Sequence, residues 1–249
     1  MKKLSSLFRA ARNREPEQTV YSIREMMGEL VQMKDEQWGG YAFYHEPLER
    51  KFNAEAREHY IAEANDCGRE EADLLKTELE EQGLEELIKM HGFCLEFPDM
   101  PNGGGHVIFA QFTEPDKITV FRDCTKKAAT LIRNEHLEDF LKGKDPEKIL
   151  LAHEFFHGVE YQKRESIYTM TEKIELLRKP FSNRSRILAL SEMAAMAFVK
   201  ELLDLPYSPY VLDVLLVYSY NKKAASALYE EILEAAGIKE RENNADNND

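Results

Sequence analysis

The amino-acid sequence predicts an α+β fold that is mostly helical, with a small sheet of about three strands packed beside one apolar helix. Two observations predict it. Apolar residues recur at helical spacing up to about residue 90 and again from about residue 145. Alternating or β-branched apolar runs are confined to residues 93 to 123. A single strand-rich stretch between helical segments is typical of a sheet that covers one side of a helical bundle.

The first 90 residues are predicted to be helical. Residues 21 to 34 carry an apolar stripe at helical spacing, which favours a helix that packs on the core. A second helix is expected from about Leu48 to Asn65, and a third from Arg69 to His91 with a break near Gly83. The segment Trp38-Gly39-Gly40-Tyr41 is expected to form a turn between helices.

Three strands are expected in the middle of the chain, with the sequences FCLEF at 93 to 97, HVIFAQF at 106 to 112 and KITVFRD at 117 to 123. Prolines and a run of three glycines separate the first two strands, and Glu114-Pro115-Asp116 form the turn between the second and the third. We expect these strands to form a small antiparallel sheet.

The motif HEFFH at residues 153 to 157 places two histidines four residues apart, with a glutamate directly after the first. Residues i and i+4 of a helix lie on the same face, so His153 and His157 can both turn an imidazole nitrogen toward one metal ion. Glu154 then lies beside the metal rather than on it. This HExxH pattern is typical of zinc hydrolases, with two ligands and a general base.

Local signals place this motif on a helix. Asp145 suits the N-cap, Pro146 suits the first helical position, and residues 149 to 159 are mostly apolar. Few polar groups belong on so apolar a helix, so two histidines and a glutamate there need a reason. The alternative to a metal site is a pair of core histidines hydrogen-bonded to the backbone.

A third metal ligand is predicted on a second helix. The segment LALSEMAAMAFVKELLDLP, residues 188 to 206, has an apolar stripe, and Glu192 falls on that stripe. A carboxylate on a buried face is costly unless it is paired or bound to a metal. Ala194 and Ala195 are small enough for this helix to approach the motif helix closely. The alternative is that Glu192 lies at the edge of the stripe and points to solvent.

Three other glutamates compete with Glu192. Glu160 shares the face of the two histidines, but three ligands in a row on one helix fit a tetrahedron poorly. Glu172 and Glu175 lie in a polar, lysine-rich segment that is expected to be solvated. The sequence therefore favours Glu192 as the third ligand.

The chain contains three segments of a known pattern: the helix and strand LEELIKMHGFCLEF, the motif helix ILLAHEFFHGVE, and the glutamate helix EMAAMAFVKELLDLP. On these segments the chain resembles, over roughly residues 68 to 210, the ImmA/IrrE-type metallopeptidases, which are compact gluzincins with a zincin-like fold. Two positions depart from the family pattern: Met196 stands where the family often has Asn, and Asp204 is an extra residue before Leu205-Pro206.

The resemblance implies a zinc metallopeptidase, with His153, His157 and Glu192 as zinc ligands and Glu154 as the base. It implies an exposed sheet edge beside the metal that holds an extended substrate, and a specific, regulatory protein substrate. We expect an N-terminal helical extension at residues 1 to 67, a minimal gluzincin-like domain at 68 to 239 and a disordered tail at 240 to 249.

Hydrolysis of a peptide bond also needs a donor for the oxyanion. Tyr161 follows His157 by one helical turn, Tyr207 follows the glutamate helix, and His106 opens the second predicted strand. Each of the three is a candidate catalytic residue. The alternative for each is a packing role on a local apolar face.

Composition narrows the class of protein. The 249 residues carry a formal net charge of −13, and the isoelectric point is about 5.1. An excess of negative charge repels the phosphate backbone, so it argues against a general nucleic-acid-binding surface. The three cysteines form no CxxC pair, which suits reduced thiols in the cytoplasm. No run approaches 18 apolar residues, so no membrane span is expected. The first 18 residues begin with a basic segment and are expected to form a frayed helix.

Two functions of different classes are consistent with these features. The first is a zinc-dependent peptidase that acts on a protein or peptide substrate. The second is a metal-stabilised regulatory or interaction module that binds a protein partner without cleaving it. A glutamate beside the ligands favours the enzyme, whereas a further protein ligand that closes the metal's fourth position would favour the module.

Overall fold

A computed structural model of the chain describes residues 19–99, 108–177 and 183–239. The predicted frayed helix at residues 1 to 18, the candidate His106 and the predicted tail at 240 to 249 lie outside the described residues. Within them the fold is α+β and mostly helical, with a small sheet beside the HExxH helix. The predicted fold class is confirmed.

The helices are α1 (Ile23–Leu30), α2 (Asp35–Tyr44), α3 (Ala54–Asp73), α4 (Lys76–Gln82), α5 (Leu84–Met90), α6 (Arg122–Asn134), α7 (Glu138–Leu141), α8 (Pro146–Gln162), α9 (Tyr168–Thr171), α10 (Leu188–Leu202), α11 (Val211–Tyr218) and α12 (Lys222–Ala235). The strands are β1 (Cys94–Glu96), β2 (Ala110–Thr113), β3 (Lys117–Val120), β4 (Lys173–Leu177) and β5 (Asn183–Arg186). A short 3-10 helix spans Glu49–Lys51.

The three-stranded sheet has the strand order β1-β3-β2. The predicted β2–β3 hairpin is present, but β1 pairs with β3 in parallel. The prediction of a purely antiparallel sheet is therefore wrong. The long connection between β1 and β2 lets β1 cross to the far side of β3 instead of forming a hairpin. As a result β2 is left at an edge of the sheet, on the side of α8.

Two other local predictions are wrong. Trp38-Gly39-Gly40-Tyr41 lies within α2 instead of forming a turn, because the Trp38 ring stacks on Tyr210 and Gly39 lets Ile61 of α3 approach closely. The helix expected to begin near Leu48 begins at Ala54, where the Asn53 side chain caps it. The predicted break at Gly83 is present, at a backbone φ of 79°.

A second, two-stranded sheet of β4 and β5 was not expected from the sequence. Residues 173 to 176 alternate between polar and apolar, but this run is only four residues long, and β5 has no apolar residue to mark it as a strand. The hairpin includes Glu175, which is exposed as expected for a solvated segment.

Helix α3 passes close to α10, which carries Glu192. A Cβ atom built on Gly68 of α3 would lie 2.1 Å from the Ala194 carbonyl oxygen and 2.9 Å from the Phe198 nitrogen. The predicted domain boundary between residues 67 and 68 falls inside α3, and residues on both sides of it join the same buried core. A domain boundary at this position would cut the continuous helix α3 where Gly68 lies close to α10.

Gly68→Ala is therefore expected to destabilise the protein, on the order of 1–3 kcal/mol, because the new methyl group overlaps the backbone of α10. Gly28→Ala is the matched control. Its Cβ would meet only the Phe140 ring at 3.6 Å, so the change inside α1 is expected to be neutral or stabilising by about 0.5–1 kcal/mol. Urea unfolding of both variants measures the difference, and equal stability would contradict the close approach.

Candidate metal centre

Helix α8 begins as the sequence predicts. The Asp145 side chain accepts a hydrogen bond from the Glu147 backbone nitrogen at 2.9 Å, and Pro146 occupies the first turn. The helix packs against β2 and β3 of the sheet and also against α10. Its polar motif residues are therefore enclosed: His153 and His157 are buried, and Glu154 is only 1% exposed.

The two histidines and Glu192 form one group of potential metal ligands. The Nε2 atoms of His153 and His157 are 3.1 Å apart. The Glu192 carboxylate faces them across the α8–α10 contact, with one oxygen 3.6 Å from His153 Nε2 and the other 4.0 Å from His157 Nε2. All three donor atoms lie within 4.8 Å of one another, so this group could hold a metal ion.

The spacing and chemistry of these donors suit a tetrahedral metal ion. Ligand bonds of about 2.0–2.1 Å at tetrahedral angles put neighbouring donor atoms about 3.3 Å apart, close to the separations found. Two nitrogens and one carboxylate oxygen are a ligand set of catalytic zinc sites. The group contains none of the three cysteines, and within the described part of the chain it comprises three protein side chains. A tetrahedral ion held by these three side chains alone would keep one coordination position for water or substrate.

Glu160 lies behind His157 rather than with the ligands. Its Oε2 atom is 3.5 Å from His157 Nδ1 and accepts a hydrogen bond of 2.8 Å from the Ser191 hydroxyl, and its Oε1 atom accepts one from Thr169. The carboxylate is 7% exposed. It is placed to accept a hydrogen bond from Nδ1 of His157 while Nε2 faces the other potential ligands. Carboxylates orient metal-binding histidines in this way in many metal sites.

The pKa values of the two histidines are shifted in opposite directions. Burial and the neighbouring His157 hold the pKa of His153 well below its usual value, so this imidazole stays neutral. Burial also acts to lower the pKa of His157, but the hydrogen bond with Glu160 and the charges of Glu192 and Glu154 outweigh it and raise that pKa. Burial of Glu160 is likewise outweighed by its bonds to His157, Thr169 and Ser191, which lower its carboxyl pKa.

Glu154 faces the edge strand of the sheet. Its Oε2 atom accepts a hydrogen bond of 2.6 Å from the Phe112 backbone N–H of β2. Burial raises the pKa of the Glu154 carboxyl to about 7, with a further contribution from Glu192, while His157 acts against the shift. A group that titrates near neutral pH can exchange a proton in either direction, as general acid–base catalysis requires.

A cavity of about 350 Å³ adjoins the group, and His153, Glu154 and Glu192 form part of its wall. The rest is mainly apolar, from Phe109, Ile149, Leu150, Leu188, Met196, Leu212 and Leu216. Two of the predicted ligands and the predicted base therefore face a space large enough for a substrate side chain.

Neither of the two candidate tyrosines for the oxyanion is brought to this cavity. Tyr207 is buried, and its hydroxyl donates to the Leu141 carbonyl oxygen at 3.1 Å. Tyr161 lies at the end of α8, where its ring contacts Phe112 and stacks with Arg164. His106 lies outside the described residues. Neither tyrosine lines the cavity.

Several residues at the site were not identified from the sequence. Ser191 and Thr169 bind Glu160, and Tyr41, Tyr210 and Asp213 line the cavity. Only Asp213 carries a sequence signal, since it is the single charged residue in the apolar run YVLDVLLVY of residues 210 to 218. The others depend on contacts between distant segments.

Comparison with known protein families, curated proteins and solved structures finds no match for this chain. The resemblance to the ImmA/IrrE-type metallopeptidases therefore stays a prediction from three motifs. None of the helices described above combines the length and apolar character that a membrane crossing requires.

Proposed function

We propose that the protein is a zinc-dependent peptidase that hydrolyses a peptide bond in a specific protein substrate. The observation that carries the proposal is the position of Glu154. This buried carboxylate lies beside three potential metal ligands, lines the adjoining cavity and contacts the backbone of an edge strand. A metal site that served stability alone would have no need of an ionisable base in that position.

Each polar residue has a separate role in this proposal. His153, His157 and Glu192 would hold the metal, and zinc bound there would supply Lewis-acid chemistry that activates water and polarises a carbonyl group. Glu154 takes a proton from the attacking water and passes it to the leaving nitrogen, so the carboxylate is regenerated at the end of the cycle. Glu160 orients the His157 ring through Nδ1.

Strand β2 is the expected docking edge for the substrate backbone. It pairs with β3 on one side, and its other side faces Glu154 through the Phe112 N–H. An extended peptide can add to such an edge through main-chain hydrogen bonds, which would place a peptide bond next to the base.

The interaction module is the alternative function, and the described site gives it less support. A purely structural zinc site is closed by four protein ligands. The described group has three, and it borders a cavity instead of packed side chains. Both features favour a site at which water and substrate reach the metal.

The test is metal analysis of the purified protein, followed by cleavage of a peptide library with and without a chelator. We expect about one zinc per chain and cleavage that stops with the chelator and returns with zinc. Stoichiometric zinc without cleavage of peptides or of a cellular proteome would favour the interaction module. Absence of a bound transition metal would contradict both functions.

Removal of the metal is also expected to lower stability. A ligand present at 100 times its Kd stabilises the native state by about 2.7 kcal/mol, and for a chain of this size this corresponds to a shift in Tm of roughly 5–10 °C. We expect EDTA to lower the Tm by that amount and zinc to restore it. Magnesium is the control ion and is expected to have no effect, because it prefers oxygen ligands. An unchanged Tm would contradict the metal site.

A further inference from the structure

The cavity beside the metal group has an apolar wall and one acidic end. Asp213 belongs to α11, whose other residues are apolar except for Tyr218, and its side chain faces the cavity. Tyr41 also lines the cavity, and its interaction with this carboxylate acts to lower the carboxyl pKa. The Tyr210 hydroxyl is buried nearby and has no hydrogen-bond partner within the described residues. Asp213, Tyr41 and Tyr210 therefore add polar groups to a cavity wall that is otherwise mostly apolar.

Asp213 has no cationic partner in the described structure. Burial raises the pKa of this carboxyl to about 7, with a further contribution from the Glu192 carboxylate. Two side chains therefore affect this pKa: Glu192, and Tyr41, which acts to lower it. Neither of them is a lysine, an arginine or a histidine. A carboxylate in an apolar environment is costly unless a charge or several donors satisfy it.

A structural role alone does not account for this carboxylate. A hydrogen bond to the Tyr41 hydroxyl needs only a neutral acceptor, and Asn would supply one of the same size. Asp213 also lies close enough to Glu192 for the two carboxylates to affect each other. With Glu154, three acidic residues line this cavity, which makes it attractive to a cation.

We propose that this cavity binds the side chain of a lysine or arginine adjacent to the bond that is cut, with its cation on Asp213. The aliphatic part of such a side chain suits the wall formed by Ile149, Leu212 and Leu216, and its charged end suits Asp213 with the Tyr210 hydroxyl as an additional partner. The proposal rests on the proposed peptidase function, since the cavity shares His153, Glu154 and Glu192 with the metal group.

The binding test uses n-butylguanidinium and its neutral counterpart n-butylurea, measured by calorimetry on the zinc-loaded protein. A guanidinium has no free lone pair for zinc, so its binding reports on the carboxylate. A charge-assisted hydrogen bond corresponds to about 10- to 100-fold in affinity, and we expect n-butylguanidinium to bind tighter than n-butylurea by that factor. Equal affinities, or no binding of either compound, would overturn the proposal.

Asp213→Asn is expected to abolish the difference between the two compounds. Asp204→Asn is the matched control and is expected to keep it, because Asp204 is 85% exposed and has a positive φ that Asn accepts. If Asp213→Asn retains the full preference for the cation, the proposal is wrong. The comparison of the two compounds on the wild-type protein needs no variant, so it stays decisive if this variant does not fold.

A peptide-library experiment separates this proposal from the peptidase function. We expect cleavage next to Lys or Arg in the wild type, and loss of that preference by about 10- to 100-fold in Asp213→Asn, with residual cleavage next to Leu or Met. Cleavage without a basic preference would overturn the specificity and leave the peptidase function standing. Binding of n-butylguanidinium without any cleavage would overturn the peptidase function and keep the cation site.

Discussion

Replacing Glu154 with glutamine is expected to lower the rate of peptide hydrolysis by about 100- to 10,000-fold while zinc stays bound. The carboxylate lies beside the three potential ligands without belonging to them, and it contacts the Phe112 N–H of the edge strand, so it is placed to act as a base. Glutamine keeps its size, and the amide oxygen can still accept the hydrogen bond from the Phe112 N–H. The three ligand side chains are unchanged, so the zinc content should equal that of the wild type.

The control for this variant is Glu165→Gln, which removes the same charge from a side chain that is 93% exposed. Its activity and zinc content should match those of the wild type. Activity is measured as the rate of cleavage of one peptide, and zinc by elemental analysis after gel filtration. Full activity of Glu154→Gln would end the proposed mechanism, and loss of zinc would mean that Glu154 is itself a ligand.

The elements that carry the metal group were predictable because their signals are local. The Asp145 cap, Pro146 and the spacing of His153 and His157 all belong to one helix and its cap, and each has a direct physical meaning there. Glu192 was also identified, from its position on an apolar helix. The helix break at Gly83 and the β2–β3 turn were predictable for the same reason.

The features that were missed depend on contacts between distant segments. The parallel pairing of β1 with β3 is a choice of partner that the strand sequences do not specify. The turn predicted at Trp38-Gly39-Gly40-Tyr41 is overridden by stacking of Trp38 on Tyr210, more than 170 residues away. Asp213 had a local signal, but only the fold shows that it faces the same cavity as Glu192.

The role of Glu160 shows why local spacing alone is insufficient for the ligand set. From the sequence, Glu160 shares a helical face with both histidines and is a rival to Glu192. In the structure its carboxylate lies 3.5 Å from Nδ1 of His157, whereas the Nε2 atoms of both histidines face each other and Glu192. The two glutamates therefore contact opposite nitrogens of the His157 ring. Ser191 is next to Glu192 in the chain, and its hydroxyl donates a hydrogen bond to Glu160. It therefore links the glutamate that faces Nε2 of His157 to the glutamate that faces Nδ1.

Glu192→Gln is expected to remove zinc, and Glu160→Gln is expected to retain it at an affinity lowered about 10- to 100-fold. Both substitutions keep side-chain size and remove one charge near the same histidine, so the pair compares two carboxylates that face opposite nitrogens of His157. An amide is a poor zinc ligand, whereas it can still accept the hydrogen bond from Nδ1 that orients the ring. Zinc content after gel filtration and zinc affinity from competition with a chelator measure the difference. Retention of zinc in Glu192→Gln together with its loss in Glu160→Gln would reverse the assignment of ligand and positioning residue.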